Sequence, residues 1–329
     1  MPLTYILPFK ARAPVSDELL DYLRGLAALD VASQILVVDG SEPAIYANFA
    51  ARCPDAVEHV GVDPDLSALA NGKVRGVLTG VRHARHPLLV IADDDVRYDE
   101  ASLAAVVTTL EQAEIVRPQN FFAPLPWHAC LDTARMLINR VTGGDWPGTL
   151  GVRRSALQAT AGYDGDVLFE NLELVRTVTA AGGRELRPLD LFVRRLPPRT
   201  AHFWSQRVRQ AYDEFARPAR LMVSLALVPG VLLAIVALGW PAIGVAVTVP
   251  IVMAEAGRRL GDGTKVFPAV ASLAAPLWVL ERGLCAWAAV LMRLGLGGVP
   301  YAGRIVRRAA TPVRILARRH AGAIHVARP

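Results

Sequence analysis

Three consecutive carboxylates, Asp93, Asp94 and Asp95, close the apolar run LLVIA. Like charges this close raise one another's pKa, and a divalent cation removes the conflict by taking oxygen ligands and bridging them to phosphates. Asp93 and Asp95 have DxD spacing. Projecting from alternate sides of an extended turn, they can reach one Mg2+ or Mn2+ ion and a ribose. A solvated acidic turn, or the N-cap of a following helix, would carry the same triplet, and both readings stand at this point. A second acidic strand end is Asp39 in ILVVDGS.

The elements that must position these groups are legible as a rhythm. TYILPF, QILVVD, AVEHVGV and PLLVIADDD read as strands, separated by the helical patterns DELLDYLRGLAAL, AIYANFAARC and LANGKVRGVLTGVRHA. That alternation predicts an α/β domain with an open, largely parallel, Rossmann-like sheet. Ligands bind such sheets beyond the carboxyl ends of strands, where Asp39 and Asp93 to Asp95 stand. No GxGxxG follows the first strand and no GxxxxGK[ST] occurs, so dinucleotide and P-loop readings lack their phosphate-binding glycines. Arg117 to Pro126 (RPQNFFAPLP) reads as a loop kept out of regular structure by proline. The three cysteines, Cys53, Cys130 and Cys285, lie too far apart for a zinc site or disulfide framework.

The chain has 329 residues and is 53% hydrophobic, with the apolar excess in its last third. LMVSLALVPGVLLAIVALGW, residues 221–240, is uncharged and long enough to cross a bilayer, and residues 241–256 form a second, shorter span. Residues 266–296 are apolar but carry Glu281 and Arg282, which predicts an interfacial or re-entrant segment. Nothing in MPLTYILPFKARAP predicts export. Arg217 and Arg220, then Arg258, Arg259 and Lys265, then six arginines from Arg304 to Arg319, flank the apolar runs. By the positive-inside rule all three clusters are cytoplasmic, which predicts a multi-pass protein of the cell's inner (plasma) membrane. The formal charge of +6 is then directed at anionic lipid rather than at nucleic acid. The expected division is 1–216 catalytic domain, 217–300 membrane region and 301–329 basic cytoplasmic tail.

From about Leu3 to Phe215 the order of elements resembles the GT-A glycosyltransferases of the large inverting family that includes ceramide glucosyltransferase, cellulose synthase and dolichyl-phosphate mannose synthase. Pro8 after the first strand, Asp39 in VVDGS, Lys73 in ANGKVRGV, IADDDV and QRVRQ at Gln206 to Gln210 fall in that family's order. The helices and the basic YAGRIVRR that follow are similar to the ceramide glucosyltransferase branch. The resemblance implies a nucleotide-sugar site at Pro8, Asp39, Lys73, Asp93 and Asp94, with metal at Asp93 and Asp95. It also implies a QxxRW-like element in which Arg209, aided by Gln206, neutralises the leaving diphosphate. The implied activity is hexosyl transfer from a nucleoside diphosphate sugar to a lipid or polyprenyl-phosphate acceptor.

Two positions depart from the pattern. The family's catalytic aspartate is replaced in Glu170-Asn171, and an amide cannot act as a general base. Glu170 and then Glu173, three apart at a helix start, become the candidate bases, unless the acceptor is a phosphate that is already ionised. Gln210 replaces the QxxRW tryptophan, leaving Asp145 and Trp146 in GGDWPGT, and Trp204, as the sugar or acceptor platform. A nucleotidyltransferase would carry a glycine-rich loop at LPFKARAP, which is absent; a degenerate scaffold subunit is the other rival.

Overall fold

The computed structural model describes residues 2–301 and 303–326. Strands β1 (Leu3–Phe9), β2 (Gln34–Asp39), β3 (Val57–Gly61) and β4 (Leu88–Ala92) alternate with helices α1 (Asp17–Ala27), α2 (Pro43–Ala50) and α3 (Gly72–His83). There follow β5 (Val96–Arg97), α4 (Glu100–Leu110), β6 (Ile115–Val116), β7 (Gln119–Phe122), α5 (Trp127–Val141), β8 (Thr149–Arg153), α6 (Arg154–Ala159), α7 (Glu170–Ala180), β9 (Glu185–Leu186), β10 (Phe192–Arg195) and α8 (Thr200–Tyr212). The main sheet has the order β3-β2-β1-β4-β8-β6-β9, parallel from β3 to β4, with β8 antiparallel to both β4 and β6. This is an open α/β domain with a largely parallel sheet, as the alternation of elements predicts.

Both sheet faces are covered, so the central strands are apolar throughout and sort their side chains with a period of two. Tyr5, Leu7, Val37 and Val90 meet the core under α1 and α4, while Ile6, Leu36, Val38 and Ile91 meet the one under α3, α6 and α7. Helix α3 lies unusually close to β1. A Cβ at Gly76 would stand 2.8 Å from the Pro8 side chain and one at Gly80 2.5 Å from Ile6, so these glycines, four apart on one helix face, form the slot that admits the strand. Asn71 caps the helix by accepting from the Lys73 amide at 3.0 Å. Close approach and cap together bring Lys73 to the strand ends.

The stretch expected to be a loop contains β7. Its residues Gln119 to Phe122 pair in parallel with Phe192 to Arg195 of β10, in a small sheet with β5. A partner strand seventy residues away overrides the local proline signal.

Three helices are long and apolar enough to cross a bilayer: α9 (Pro218–Leu238), α10 (Pro241–Arg259, continuous with a 3-10 turn to Lys265) and, after the short α11 (Ala269–Leu273), α12 (Ala275–Leu296). Helices α9 and α10 form a hairpin through Gly239, whose φ of 70° suits glycine. Both open ends return to α5, through Arg220 on Asn139 at 3.0 Å and Arg140 on the Gly257 carbonyl at 2.9 Å. Helix α12 runs along α8, tied by Arg207 to Glu281 at 2.5 Å. Strands β11 (Val299–Tyr301) and β12 (Arg304–Val306) lead to α13 (Val313–His320), which packs on α7 and buries Leu316.

Candidate functional site

Where β4, α7, α8 and the roots of the apolar helices meet, a cavity of about 290 Å³ opens. It gathers Lys73, Asp93, Asp145, Trp146, Glu170, Asn171 and Arg209 from the residues singled out in the sequence. Lys73 Nζ lies 2.6 Å from Asp93 Oδ1 and 3.0 Å from Glu170 Oε1, a bridge from the sheet to the start of α7. Burial alone would lower the Lys73 pKa, but Asp93 and Glu170 outweigh it and hold the ammonium charged.

Asp93 and Asp95 share a second cation, Arg195 at the end of β10. Its Nε is 2.9 Å from each Asp95 carboxylate oxygen and its terminal nitrogen is 3.3 Å from Asp93 Oδ2. Gly148 leaves the space for this pairing, since a Cβ there would stand 2.7 Å from Asp93 Oδ2 and 3.0 Å from the guanidinium carbon. Asp95 and Gln206 line an adjoining cavity of about 130 Å³ that also touches Arg195 and Arg209. Asp94 points outward, its carbonyl accepting from Arg97 at 2.6 Å. Among the described residues no three His, Cys, Asp or Glu side chains converge as a metal-holding group.

Pro8 and Asp39 stand on the neighbouring strand ends outside this cavity. Asp39 is buried, accepting from the Ser41 amide at 2.8 Å and lying 3.0 Å from His59 Nε2. Burial pushes its carboxyl up, but these bonds prevail and hold it below the usual range. His59 in turn stacks on Tyr46 with ring centroids 4.3 Å apart.

Asn171 donates from Nδ2 to the Pro147 carbonyl at 2.9 Å, tying α7 to the Asp145–Gly148 loop. Glu170 and Glu173 share a turn but not a destination. Glu173 is fully buried away from the cavity, where its Oε2 accepts from the Thr311 amide at 2.6 Å, so the returning C-terminal segment claims it. Trp146 lines the cavity with Arg117 4.1 Å over its ring, whereas Trp204 is 47% exposed and lines neither cavity. Asp145 is buried between Arg135 at 2.8 Å and Asn139 at 2.6 Å.

Sequence reasoning missed several cavity residues, among them Arg195, Asp213, Trp278 and, as a site residue, Arg282. Burial pushes the Asp213 carboxyl, aided by the Glu170 charge and against Arg209 and Arg217, from 3.8 up to about 7. The doublet Arg194-Arg195 after a short apolar run was the available signal for Arg195; Asp213, one turn past Arg209 and just beyond the end of α8, had none.

Residues 38–117, which contain Asp39, Lys73 and the aspartate triplet, match the family model of glycosyl transferase family 21. A search of curated protein sequences returns no match. Among solved structures, a mannosyltransferase from Pyrobaculum calidifontis, in complex with GDP-Man and Mn2+, superposes with a TM-score of 0.50 at 18% identity, covering 89% of this chain and 87% of that one. Glucosyl-3-phosphoglycerate synthase from Mycobacterium tuberculosis, in complex with Mn2+, UDP and its product, gives a TM-score of 0.40 at 13% identity over 62% of this chain and 75% of that one, too low to carry weight. The fold is therefore that of GT-A enzymes, and the family match supports a glycosyltransferase.

Proposed function

We propose that this chain is a membrane-bound, metal-dependent glycosyltransferase that moves a sugar from a nucleoside diphosphate sugar to a lipid acceptor, with inversion, at the cytoplasmic face of the plasma membrane. The observation that carries it is one cavity in which the Lys73–Asp93–Glu170 bridge at the strand ends faces arginines at the roots of helices long enough to cross a bilayer.

Pro8, Asp39 and the His59–Tyr46 stack form the shelf for the base and ribose, and Lys73 and Arg195 flank the diphosphate. Asp93 and Asp95 supply hard carboxylate oxygens that suit Mg2+ or Mn2+, and two carboxylates leave the remaining positions to diphosphate and water. When bound, such an ion offsets charge on the leaving diphosphate. With Asp93 and Asp95 holding a metal, Lys73 and Arg195, now paired with those carboxylates, would be free to face phosphate. Arg209, whose Nε is buried without a partner, meets the diphosphate from the other side. An acceptor oxygen then bonds to the anomeric carbon as the bond to the diphosphate oxygen breaks, and that electron pair leaves with the nucleoside diphosphate.

Glu170 is committed to Lys73, so its part is to hold that lysine at the donor. Helix α12 is long and apolar enough to cross, but its packing along α8 through Arg207 and Glu281 supports reading it as interfacial, beside a two-span hairpin of α9 and α10. Asn171 and Gln210 favour one alternative, a binding subunit without turnover. Purified protein screened by thermal shift against UDP- and GDP-sugars, with and without Mn2+, and then assayed for donor consumption, tests the proposal. We expect a metal-dependent shift and consumption; stabilisation without turnover would establish the binding subunit, and formation of the nucleotide sugar from nucleoside triphosphate and sugar phosphate, with release of pyrophosphate, a nucleotidyltransferase.

A further inference from the structure

The cavity does not end at the catalytic domain. Arg220, Trp278 and Arg282 also form the rim of an apolar cavity of about 380 Å³ between α9, α10 and α12. That space shares Leu227 and Val279 with a second, of about 400 Å³, which continues along the same helices. From Arg220 to Leu232 the trough follows about 18 Å of α9 at 1.5 Å per residue. Gly283 lets α9 and α12 close together on one side, a Cβ there standing 3.0 Å from Val228.

At the head of this trough four arginines, Arg209, Arg217, Arg220 and Arg282, meet Asp213 and Glu214, and several of the donors there have no hydrogen-bond partner. Arg282 is 4% exposed, and its Nε and one terminal nitrogen have no hydrogen-bond partner. Trp278 Nε1 and Arg217 Nε are likewise buried and unpartnered. Of the carboxylates facing them, Glu214 divides itself between Arg217 at 3.3 Å and Arg220 at 3.4 Å, Asp213 is pushed by burial toward its neutral form, and Glu281 is taken by Arg207 at 2.5 Å. Buried donors in this state cost free energy that a neutral hydroxyl, with a single oxygen, cannot recover. A phosphate can, because it accepts from several donors at once and carries the opposite charge.

Resting on the glycosyltransferase reading, we propose that the acceptor is a single-chain lipid monophosphate of the polyprenyl phosphate type, its head held by Arg217, Trp278 and Arg282 and its chain lying in the trough. Two cavities in series, not side by side, fit one chain. The assignment also accounts for Asn171. An ionised phosphate oxygen attacks the anomeric carbon with its own lone pair, the nucleoside diphosphate departs with the electrons of the broken bond, and the product is a glycosyl phosphodiester. No proton has to be removed.

The test reads binding separately from transfer. Full-length protein in nanodiscs is titrated with radiolabelled geranylgeranyl phosphate and with geranylgeraniol, without donor. We expect saturable binding of the phosphate at least about tenfold tighter than of the alcohol, as a charge-assisted head-group contact requires. Arg282→Gln should weaken it by about tenfold or more, and Leu227→Trp, which plugs the throat without touching a charge, should do the same, while donor-nucleotide thermal shifts stay unchanged. Equal binding of alcohol and phosphate, or phosphate binding unchanged in both variants, overturns the proposal. So does sugar transfer to ceramide or diacylglycerol but not to the phosphate, an outcome that leaves the glycosyltransferase reading standing. Displacement by equimolar phosphatidate overturns the single-chain assignment. Loss of all donor shifts in the wild type would instead sink the glycosyltransferase reading itself.

Discussion

The two halves of the cavity are charged by opposite rules. At the strand ends the inward carboxylates have their cations: Asp93 and Glu170 share Lys73, and Asp95 holds Arg195. At the helix roots the cations outnumber their partners, and Arg282 has no hydrogen-bonded carboxylate at all. A closed set of ion pairs is a preorganised site whose partners can be exchanged for a ligand of the same charge pattern, here a cation together with a diphosphate. An open set of donors is a site that lacks an anion. On the proposed reading, the donor half is held ready by internal pairing and the acceptor half by leaving bonds unmade.

The largest effect should come from breaking the paired half. Asp95→Asn removes the charge that Arg195 balances and half of the carboxylate pair available to metal. Loss of several kcal/mol of transition-state stabilisation translates to at least about a thousandfold in transfer rate. Activity measured with saturating Mn2+ checks this. Full activity of the variant in EDTA would remove metal from the mechanism and leave Lys73, Arg195 and Arg209 as the only charges on the diphosphate.

The difference between the halves also explains what could be read beforehand. The donor half is built from strand ends and a helix start, where residue type and position are coupled by the βα rhythm. So the Asp39 and Asp93–Asp95 strand ends and the sheet itself were legible in sequence order, and Lys73 was placed by the resemblance. The acceptor half is assembled from residues such as Asp145, Asp213, Arg217 and Arg282, scattered over nearly a hundred and forty positions. Arg282 read as an interruption in an apolar run, and only the packing of α12 against α8 turns it into the head of a trough. Glu173 failed for a related reason: its three-residue spacing from Glu170 was clear, but the C-terminal segment that captures it through Thr311 lies far away in the chain.

A smaller effect sharpens the boundary between the halves. Asp213 lies on it, faced by Arg209 from α8, Glu170 from α7, Arg217 at the start of α9 and Arg282 from α12. With a folded pKa of about 7 against 3.8, the native state holds the proton that the unfolded chain has released, so its contribution to stability falls as pH rises from about 4 through 7. Asp213→Asn should therefore melt higher than the parent at pH 8 and alongside it at pH 4. In transfer, ionised Asp213 repels an anionic acceptor, so KM for lipid phosphate should climb above pH 7 in the parent and stay flat in the variant. A fall in kcat of about a hundred- to ten-thousandfold across all pH values would instead make Asp213 the general base for a hydroxyl acceptor.

The smallest effect tests where the cavity stops. Trp146 and Trp204 are chemically the same platform candidate, but Trp146 lines the cavity beneath Arg117 and packs against Phe169 at 5.1 Å, whereas Trp204 projects outward beside Trp127, its ring centroid 6.4 Å away. Exposed paired tryptophans near helix roots suit the bilayer interface, where the ring is amphipathic enough to sit among head groups. Trp204→Ala should therefore leave kcat/KM for a short-chain acceptor in detergent within about twofold, since a side chain that touches neither substrate removes no transition-state contact. It should weaken only association with vesicles, measured by flotation. Trp146→Ala should do the reverse, lowering kcat/KM by about tenfold through the lost ring beside the sugar and leaving flotation unchanged. A tenfold kinetic loss from Trp204→Ala in detergent would extend the acceptor site out past α8, and the division into a paired and an open half would have to be redrawn around a third region.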